Sequence, residues 1–97
     1  MPQTISELQS ELIPVFKRYG ISSAVIFGSV AKGTASDKSD LDLLVDSHLR
    51  GLRFVGFMEA VRRCARMPVD ILDVSHIEKG SKIDREIRAT GVTIYVE

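Results

Sequence analysis

The stretch GSVAKGTASDKSDLDLLV, residues 28 to 45, places a Gly-Ser pair a short distance ahead of two carboxylates, Asp40 and Asp42. Residues two apart on a β-strand point to the same face, so we expect these two side chains to project together. The apolar residues between and after them, Leu41, Leu43 and Val45, then face a core. Two like charges this close repel each other unless a cation lies between them. Taken alone, the pattern also fits a loop or capping Asp40 followed by a solvent-facing Asp42.

Periodic apolar residues on both sides of this stretch predict alternating helices and strands. We expect a helix in TISELQSELIPVFKRYG, a strand in SSAVIFG, one or two helical turns in SVAKG and a largely buried strand in DLDLLV. Further along, we expect a helix in LRFVGFMEAVRRCAR, a strand in PVDILDV, a helix within HIEKGSKIDREIRATG and a final strand in VTIYV. This order predicts an α/β (α+β) fold, a mixed β-sheet flanked by helices. The short link between the first two strands permits an antiparallel pair.

Size and composition narrow the class of protein. A chain of 97 residues favours a single domain over residues 1–97. Thirteen Lys and Arg residues balance thirteen Asp and Glu residues, and this zero net charge argues against binding nucleic acid by bulk charge. Cys64 is the only cysteine, which favours a reducing compartment. The N-terminal residues contain no apolar run of signal-peptide or membrane-spanning length, so we expect a cytoplasmic protein without a membrane span.

The Gly28-Ser29 pair lies where an apolar strand turns into a short helical segment. Backbone N–H groups at such a turn can bind phosphate, Gly28 allows the backbone to approach closely, and the Ser29 hydroxyl can reach a phosphate oxygen. Lys32, one turn later, can add a positive charge. The alternative is an ordinary strand-to-helix turn with a serine cap. The G-x-x-x-x-G-K-[ST] pattern of a P-loop is absent.

Asp70 is the best candidate for a third carboxylate near Asp40 and Asp42. It lies in the apolar strand PVDILDV, where a buried acid needs compensation. Mg²⁺ prefers oxygen ligands and often uses one or two carboxylates together with substrate phosphates. Asp73, three residues later, belongs to the opposite face of a regular strand and is expected to be a strand-end residue rather than a ligand.

These motifs together resemble the signature of the nucleotidyltransferase superfamily, which has a DNA polymerase beta-like fold. That signature is Gly-Ser, then a basic residue and Gly, then S-D-x-D followed by Leu or Ile. The resemblance is closest to the minimal nucleotidyltransferases of the MNT antitoxin type. It extends over nearly the whole chain, because PVDILD falls where the family has its third acid and REIRATGVTIYVE resembles the terminal helix and strand.

The resemblance implies a role for each motif residue. It implies nucleotide contacts for Gly28, Ser29 and Lys32, and Mg²⁺ ligation by Asp40, Asp42 and Asp70. Asp70 would assist a second metal or act as general base toward the attacking hydroxyl. Lys32 occupies a position where the family often has Arg, and a point charge there replaces a bidentate group.

The resemblance also implies an activity and a partner. The activity is Mg²⁺-dependent transfer of a nucleoside monophosphate, AMP from ATP as the first expectation, to a hydroxyl. In a prokaryotic setting such domains are often paired with a HEPN-domain toxin, which would make this chain the antitoxin of a hetero-oligomer. Two alternatives remain open: an antitoxin that acts by occlusion without catalysis, and a module that senses nucleotide without transferring it.

Overall fold

The computed structural model describes residues 4–35 and 39–97. The predicted order of helices and strands is confirmed, and residues 36–38 of the stretch quoted above lie outside the described residues. The elements are α1 (Ile5–Tyr19), β1 (Ser23–Phe27), α2 (Gly28–Lys32), β2 (Leu41–Asp46), α3 (Leu52–Ala65), β3 (Val69–Asp73), a 3₁₀ turn (Val74–His76), α4 (Lys82–Thr90) and β4 (Val92–Val96).

The four strands form a mixed sheet in the order β3-β2-β1-β4. β1 pairs with β2 and with β4 in antiparallel fashion, while β2 and β3 are parallel. The parallel pair is possible because α3, a helix of 14 residues, supplies the long crossover that two parallel strands require. The mixed sheet predicted from the sequence is therefore confirmed.

The hydrophobic core lies between one face of the sheet and the helices α1 and α3. Its buried side chains come from α1 at helical spacing, from α3, and from alternate positions of the strands. α1 begins at Thr4, whose hydroxyl accepts a hydrogen bond from the Glu7 amide, and ends at Gly20 in the left-handed conformation. Among the helices of residues 4–35 and 39–97, none has the length and apolar character needed to cross a bilayer.

Strand β2 differs in two respects from its prediction. It begins at Leu41 rather than at Asp40, and its burial alternates along its whole length. Leu41, Leu43 and Val45 are fully buried, as expected, whereas Leu44 is only half-buried. The expectation of a largely buried strand is confirmed, since no residue of β2 is exposed. The face away from α1 and α3 is buried only in part, and Asp42 lies on it.

Candidate active site

Asp42 of β2 and Asp70 of β3 are register partners in the parallel half of the sheet. Adjacent strands lie about 4.8 Å apart, and residues in register share a face. Since Leu41 and Val69, the preceding pair, are both buried, the two aspartates point away from the core. The fold thus brings together two carboxylates that are 28 positions apart in the chain.

Asp40 completes this acidic group from the residue just before β2. Its side chain is exposed, and its charge acts on Asp42. Burial raises the pKa of Asp42 above its ordinary value, and the charges of Asp70, Asp40 and Glu86 raise it further. These carboxylates make the surroundings of Asp42 more negative, and such an environment favours a bound cation.

Asp70 is exposed, although the sequence suggested an acid inside an apolar strand that needs compensation. That interpretation was wrong because β3 is an edge strand, and α3 packs against only one of its faces. Val69 is buried on the α3 face, whereas Asp70 faces the opposite, accessible side. Water, an ion or a substrate can consequently reach the Asp70 carboxylate without any rearrangement.

Gly28 brings the backbone at the start of α2 into direct contact with Asp42. It is buried with a φ of 72°, a conformation that side chains disfavour. A Cβ atom at this position would overlap the Asp42 carboxylate oxygen Oδ2. Glycine is therefore required for two reasons: the positive φ of the backbone, and the lack of space for a Cβ atom beside Asp42. The predicted phosphate turn and the acidic strand form one continuous surface.

Ser29 lies within the first turn of α2 and is half-buried. The N-cap residue is Phe27, and no side chain caps the helix. The alternative of an ordinary turn with Ser29 as its cap is therefore not what the structure contains. The Ser29 carbonyl accepts the Thr34 amide at 3.0 Å, which closes the turn after Gly33.

Lys32 is the last residue of α2, and its ammonium donates to Glu86 Oε1 on α4 at 3.1 Å. Glu86 is a site residue that sequence reasoning missed. It lies 54 positions from Lys32 and outside the signature motif, so no local pattern marks it. Its charge contributes to the raised pKa of Asp42, after burial and the charges of Asp70 and Asp40.

The acidic group has the donor chemistry for Mg²⁺. Carboxylate oxygens are the ligands this ion prefers, and one or two of them commonly suffice when substrate phosphates complete the coordination. Across residues 4–35 and 39–97, no three His, Cys, Asp or Glu side chains are close enough to hold a metal ion by themselves. The Asp42 and Asp70 carboxylates fit an ion whose remaining ligands would have to come from a bound molecule or water.

Asp73 lies on the core face at the end of β3, on the side opposite to Asp70, as predicted. It is buried, with only 7% of its surface exposed, which the sequence did not predict. The backbone N–H and the hydroxyl of Ser47 donate to its Oδ1, and the same groups of Ser75 donate to Oδ2. Burial alone would raise the pKa of Asp73, but these four hydrogen bonds lower it to about 2. Its role is structural, since it ties the segments after β2 and β3 together.

Comparison with known proteins identifies the family. The family model for "Polymerase beta, Nucleotidyltransferase" matches residues 10–97. The chain belongs to the polymerase beta nucleotidyltransferase family. The match begins in α1 and runs to the last residue, so it includes the turn at Gly28 and both acidic strands. The resemblance inferred from the sequence is confirmed at the level of family and fold.

One curated relative of this nucleotidyltransferase domain comes from Methanocaldococcus jannaschii and is provisionally named a protein adenylyltransferase. The two proteins are 38% identical over 42 residues, a segment that makes up 43% of this chain and 45% of the relative. The matched region thus spans less than half of the relative's length.

Several solved structures share this fold. A toxin-antitoxin crystal structure with AMP-PNP superposes with a TM-score of 0.76 at 16% identity, over 92% of this chain and 73% of the other. A complex of a tri-AMPylated Shewanella oneidensis HEPN toxin with MNT antitoxin superposes with a TM-score of 0.68 at 13% identity, over 93% of this chain and 71% of the other. A protein described as a minimal nucleotidyltransferase superposes with a TM-score of 0.71 at 24% identity, over 87% of this chain and 86% of the other. At these identities the likeness concerns the fold.

Proposed function

We propose that this protein transfers a nucleoside monophosphate, AMP from ATP, to a hydroxyl group of a partner protein and releases pyrophosphate. The hydroxyl oxygen attacks the α-phosphorus and forms a new P–O bond. The bond from the α-phosphorus to the oxygen bridging to the β-phosphate breaks, and the hydroxyl proton passes to a base. Residues 1–97 act as one nucleotidyltransferase domain in the cytoplasm, which the lone Cys64 favours.

The observation that carries this proposal is the contact between Gly28 and Asp42. A turn suited to phosphate and a strand end rich in carboxylates occur separately in many proteins. Here the Gly28 backbone lies directly against the Asp42 carboxylate, whose register partner is Asp70. A triphosphate on the turn would therefore lie beside the acids, which is where an ion bridging phosphates and carboxylates has to be.

The nucleotide side of the site consists of Gly28, Ser29 and Lys32. The backbone at Gly28 and the Ser29 hydroxyl would donate hydrogen bonds to phosphate oxygens. The Lys32 ammonium would supply a positive charge from the end of α2. Lysine has three donors but no planar fork, so it tolerates several phosphate positions where arginine would select one.

The acidic side consists of Asp40, Asp42 and Asp70, which would hold Mg²⁺. When bound, the ion neutralises charge on the triphosphate and on the carboxylates. We assign to Asp70 the role of general base toward the acceptor hydroxyl, because it is the exposed register partner of Asp42 on an edge strand. Its carboxylate would take the proton from the attacking hydroxyl. The Asp42 carboxylate, which is partly buried against Gly28, would hold the ion on the phosphate side of the site.

The proposed acceptor is a hydroxyl side chain of a HEPN-domain toxin, with this chain as the antitoxin of a hetero-oligomer. Two features support it: the fold shared with the MNT antitoxin bound to an AMPylated HEPN toxin, and the protein adenylyltransferase name of the M. jannaschii relative. The balanced charge of the chain also favours a protein acceptor over bulk nucleic acid.

The experiment that tests the proposal measures both the transfer of label from ATP to the partner protein and the neutralisation of that partner in cells. The protein is incubated with labelled ATP, Mg²⁺ and the product of the neighbouring gene, and the same pair is expressed together in cells. We expect wild type to label the partner and to restore growth. The Asp40→Ala, Asp42→Ala double variant should do neither, while circular dichroism shows that it is folded.

The occlusion alternative makes the opposite prediction for the same variant. If neutralisation depended only on binding, the double variant would restore growth fully although no label reaches the partner. A nucleotide-sensing module would bind ATP but label nothing, in wild type as in the variant. Either result would overturn the transferase function.

A further inference from the structure

The ion pair between Lys32 and Glu86 connects the end of the phosphate turn to helix α4. Lys32 Nζ lies 3.1 Å from Glu86 Oε1, and both side chains are partly exposed, 43% and 33% respectively. The ion pair between Arg88 and Asp84, by contrast, lies within α4 itself. Glu86 therefore restrains a residue of the candidate nucleotide site from a separate element.

Helix α4, which carries Glu86, packs against α2 and against β1, the strand that leads into the turn. The Glu86 carboxylate accepts from the Lys32 ammonium across two separate helices, which is the contact that a residue orienting this ammonium requires.

An ammonium group can serve Glu86 and a phosphate at once, because it has three N–H donors. A free lysine side chain loses about 2 kcal/mol of rotamer entropy when it becomes fixed. If Glu86 already restrains Lys32, part of that ordering cost is met before nucleotide binds. The remaining donors of the ammonium are then available at the end of the turn.

We propose that Glu86 is a positioning residue of the nucleotide site. It holds the Lys32 ammonium, before nucleotide binds, in the orientation in which that group contacts the triphosphate. This inference rests on the proposed function, since it presupposes that the turn binds a nucleoside triphosphate. Glu86 acts through Lys32 and touches neither the nucleotide nor the acceptor.

The test measures the dissociation constant of a non-hydrolysable ATP analogue with Mg²⁺ by isothermal titration calorimetry. Glu86→Ala should weaken binding about threefold, the size expected when a partly exposed ion pair is lost. Glu86→Gln, which keeps an acceptor oxygen, should weaken it less. In a Lys32→Met background, Glu86→Ala should weaken binding no further, because the coupling passes through Lys32.

Arg88→Ala is the matched control, since it removes an ion pair of the same helix that does not involve Lys32. It should leave the dissociation constant unchanged. Tighter binding by Glu86→Ala would overturn the proposal, because Glu86 would then act only as one more negative charge near the triphosphate. Equal weakening by Glu86→Ala with and without Lys32 would also overturn it. If wild type binds no nucleotide, the proposed function fails as well, whereas wild-type binding that Glu86→Ala leaves unchanged contradicts the role of Glu86 alone.

Discussion

Asp42 and Asp70 are register partners on adjacent parallel strands, and both point away from the core formed with α1 and α3. They differ in their surroundings. Asp42 is partly buried against the Gly28 backbone, and its pKa is raised, whereas Asp70 is exposed on an edge strand. Substitutions at the two positions should therefore have different effects on stability and the same effect on transfer.

Asp42→Asn should make the metal-free protein more stable and inactive. The folded-state pKa of Asp42 lies above its ordinary value, mainly through burial, so ionisation of this carboxyl disfavours the folded state at neutral pH. Urea unfolding at pH 7 with a chelator should show a higher free energy of unfolding for the variant. Glu78→Gln, which neutralises an exposed acid elsewhere, is the control and should change little. A variant less stable than wild type under these conditions would contradict this account of Asp42.

Asp70→Asn should separate catalysis from folding. Because the side chain is exposed, its free energy of unfolding should stay within about 0.5 kcal/mol of wild type. Transfer to the partner should fall by roughly 100-fold or more, the scale expected for loss of a general base. A single-turnover rate measured with the same variant checks this. A transfer rate close to that of wild type would remove Asp70 from the proposed mechanism.

Gly28→Ala should cost both stability and activity. The left-handed backbone conformation alone costs an alanine about 1 kcal/mol, and the new Cβ also displaces the Asp42 carboxylate. Gly20→Ala is a matched control, because Gly20 has a φ of 69° and open space where its Cβ would lie. Chemical denaturation should show a larger loss for Gly28→Ala, and only this variant should lose transfer. Equal losses of stability and retained activity would show that the contact with Asp42 is unimportant.

Asp73 should give the protein a pH-dependent stability unrelated to the active site. Its pKa is about 2 in the folded protein against an ordinary value of 3.8. Ionised Asp73 therefore contributes about 2 kcal/mol at neutral pH, and this contribution is lost as the pH falls from about 4 to about 2. Asp73→Asn should lower the free energy of unfolding at pH 7 and flatten its dependence on pH in that range. An unchanged slope in the variant would assign the acid sensitivity to other groups.

The order of the elements could be predicted from the sequence, and so could the choice of strands that carry Asp42 and Asp70. Alternation of apolar residues in β2 identified the buried face, and the family signature connected distant acids. The exposure of Asp70 could not be predicted, because the position of a strand within a sheet depends on pairing that the local pattern does not encode. The same pattern of apolar neighbours occurs in central and in edge strands.

The contacts of Glu86 and Asp73 were missed for a related reason. Glu86 meets Lys32 across 54 positions, and Asp73 meets Ser47 across 26. Both are side-chain contacts between separate elements, set by how α4 and the segment after β2 pack. A capping pattern such as that of Thr4 with Glu7 is local and therefore visible in the sequence.

The most direct test of the central claim compares ATP labelled on the α-phosphate with ATP labelled on the γ-phosphate. The protein is incubated with each nucleotide, Mg²⁺ and the partner, and the partner is then separated and counted. Nucleotidyl transfer predicts label on the partner from the α-phosphate only, with none in the Asp40→Ala, Asp42→Ala variant. Label from the γ-phosphate, or equal labelling by wild type and variant, would contradict it.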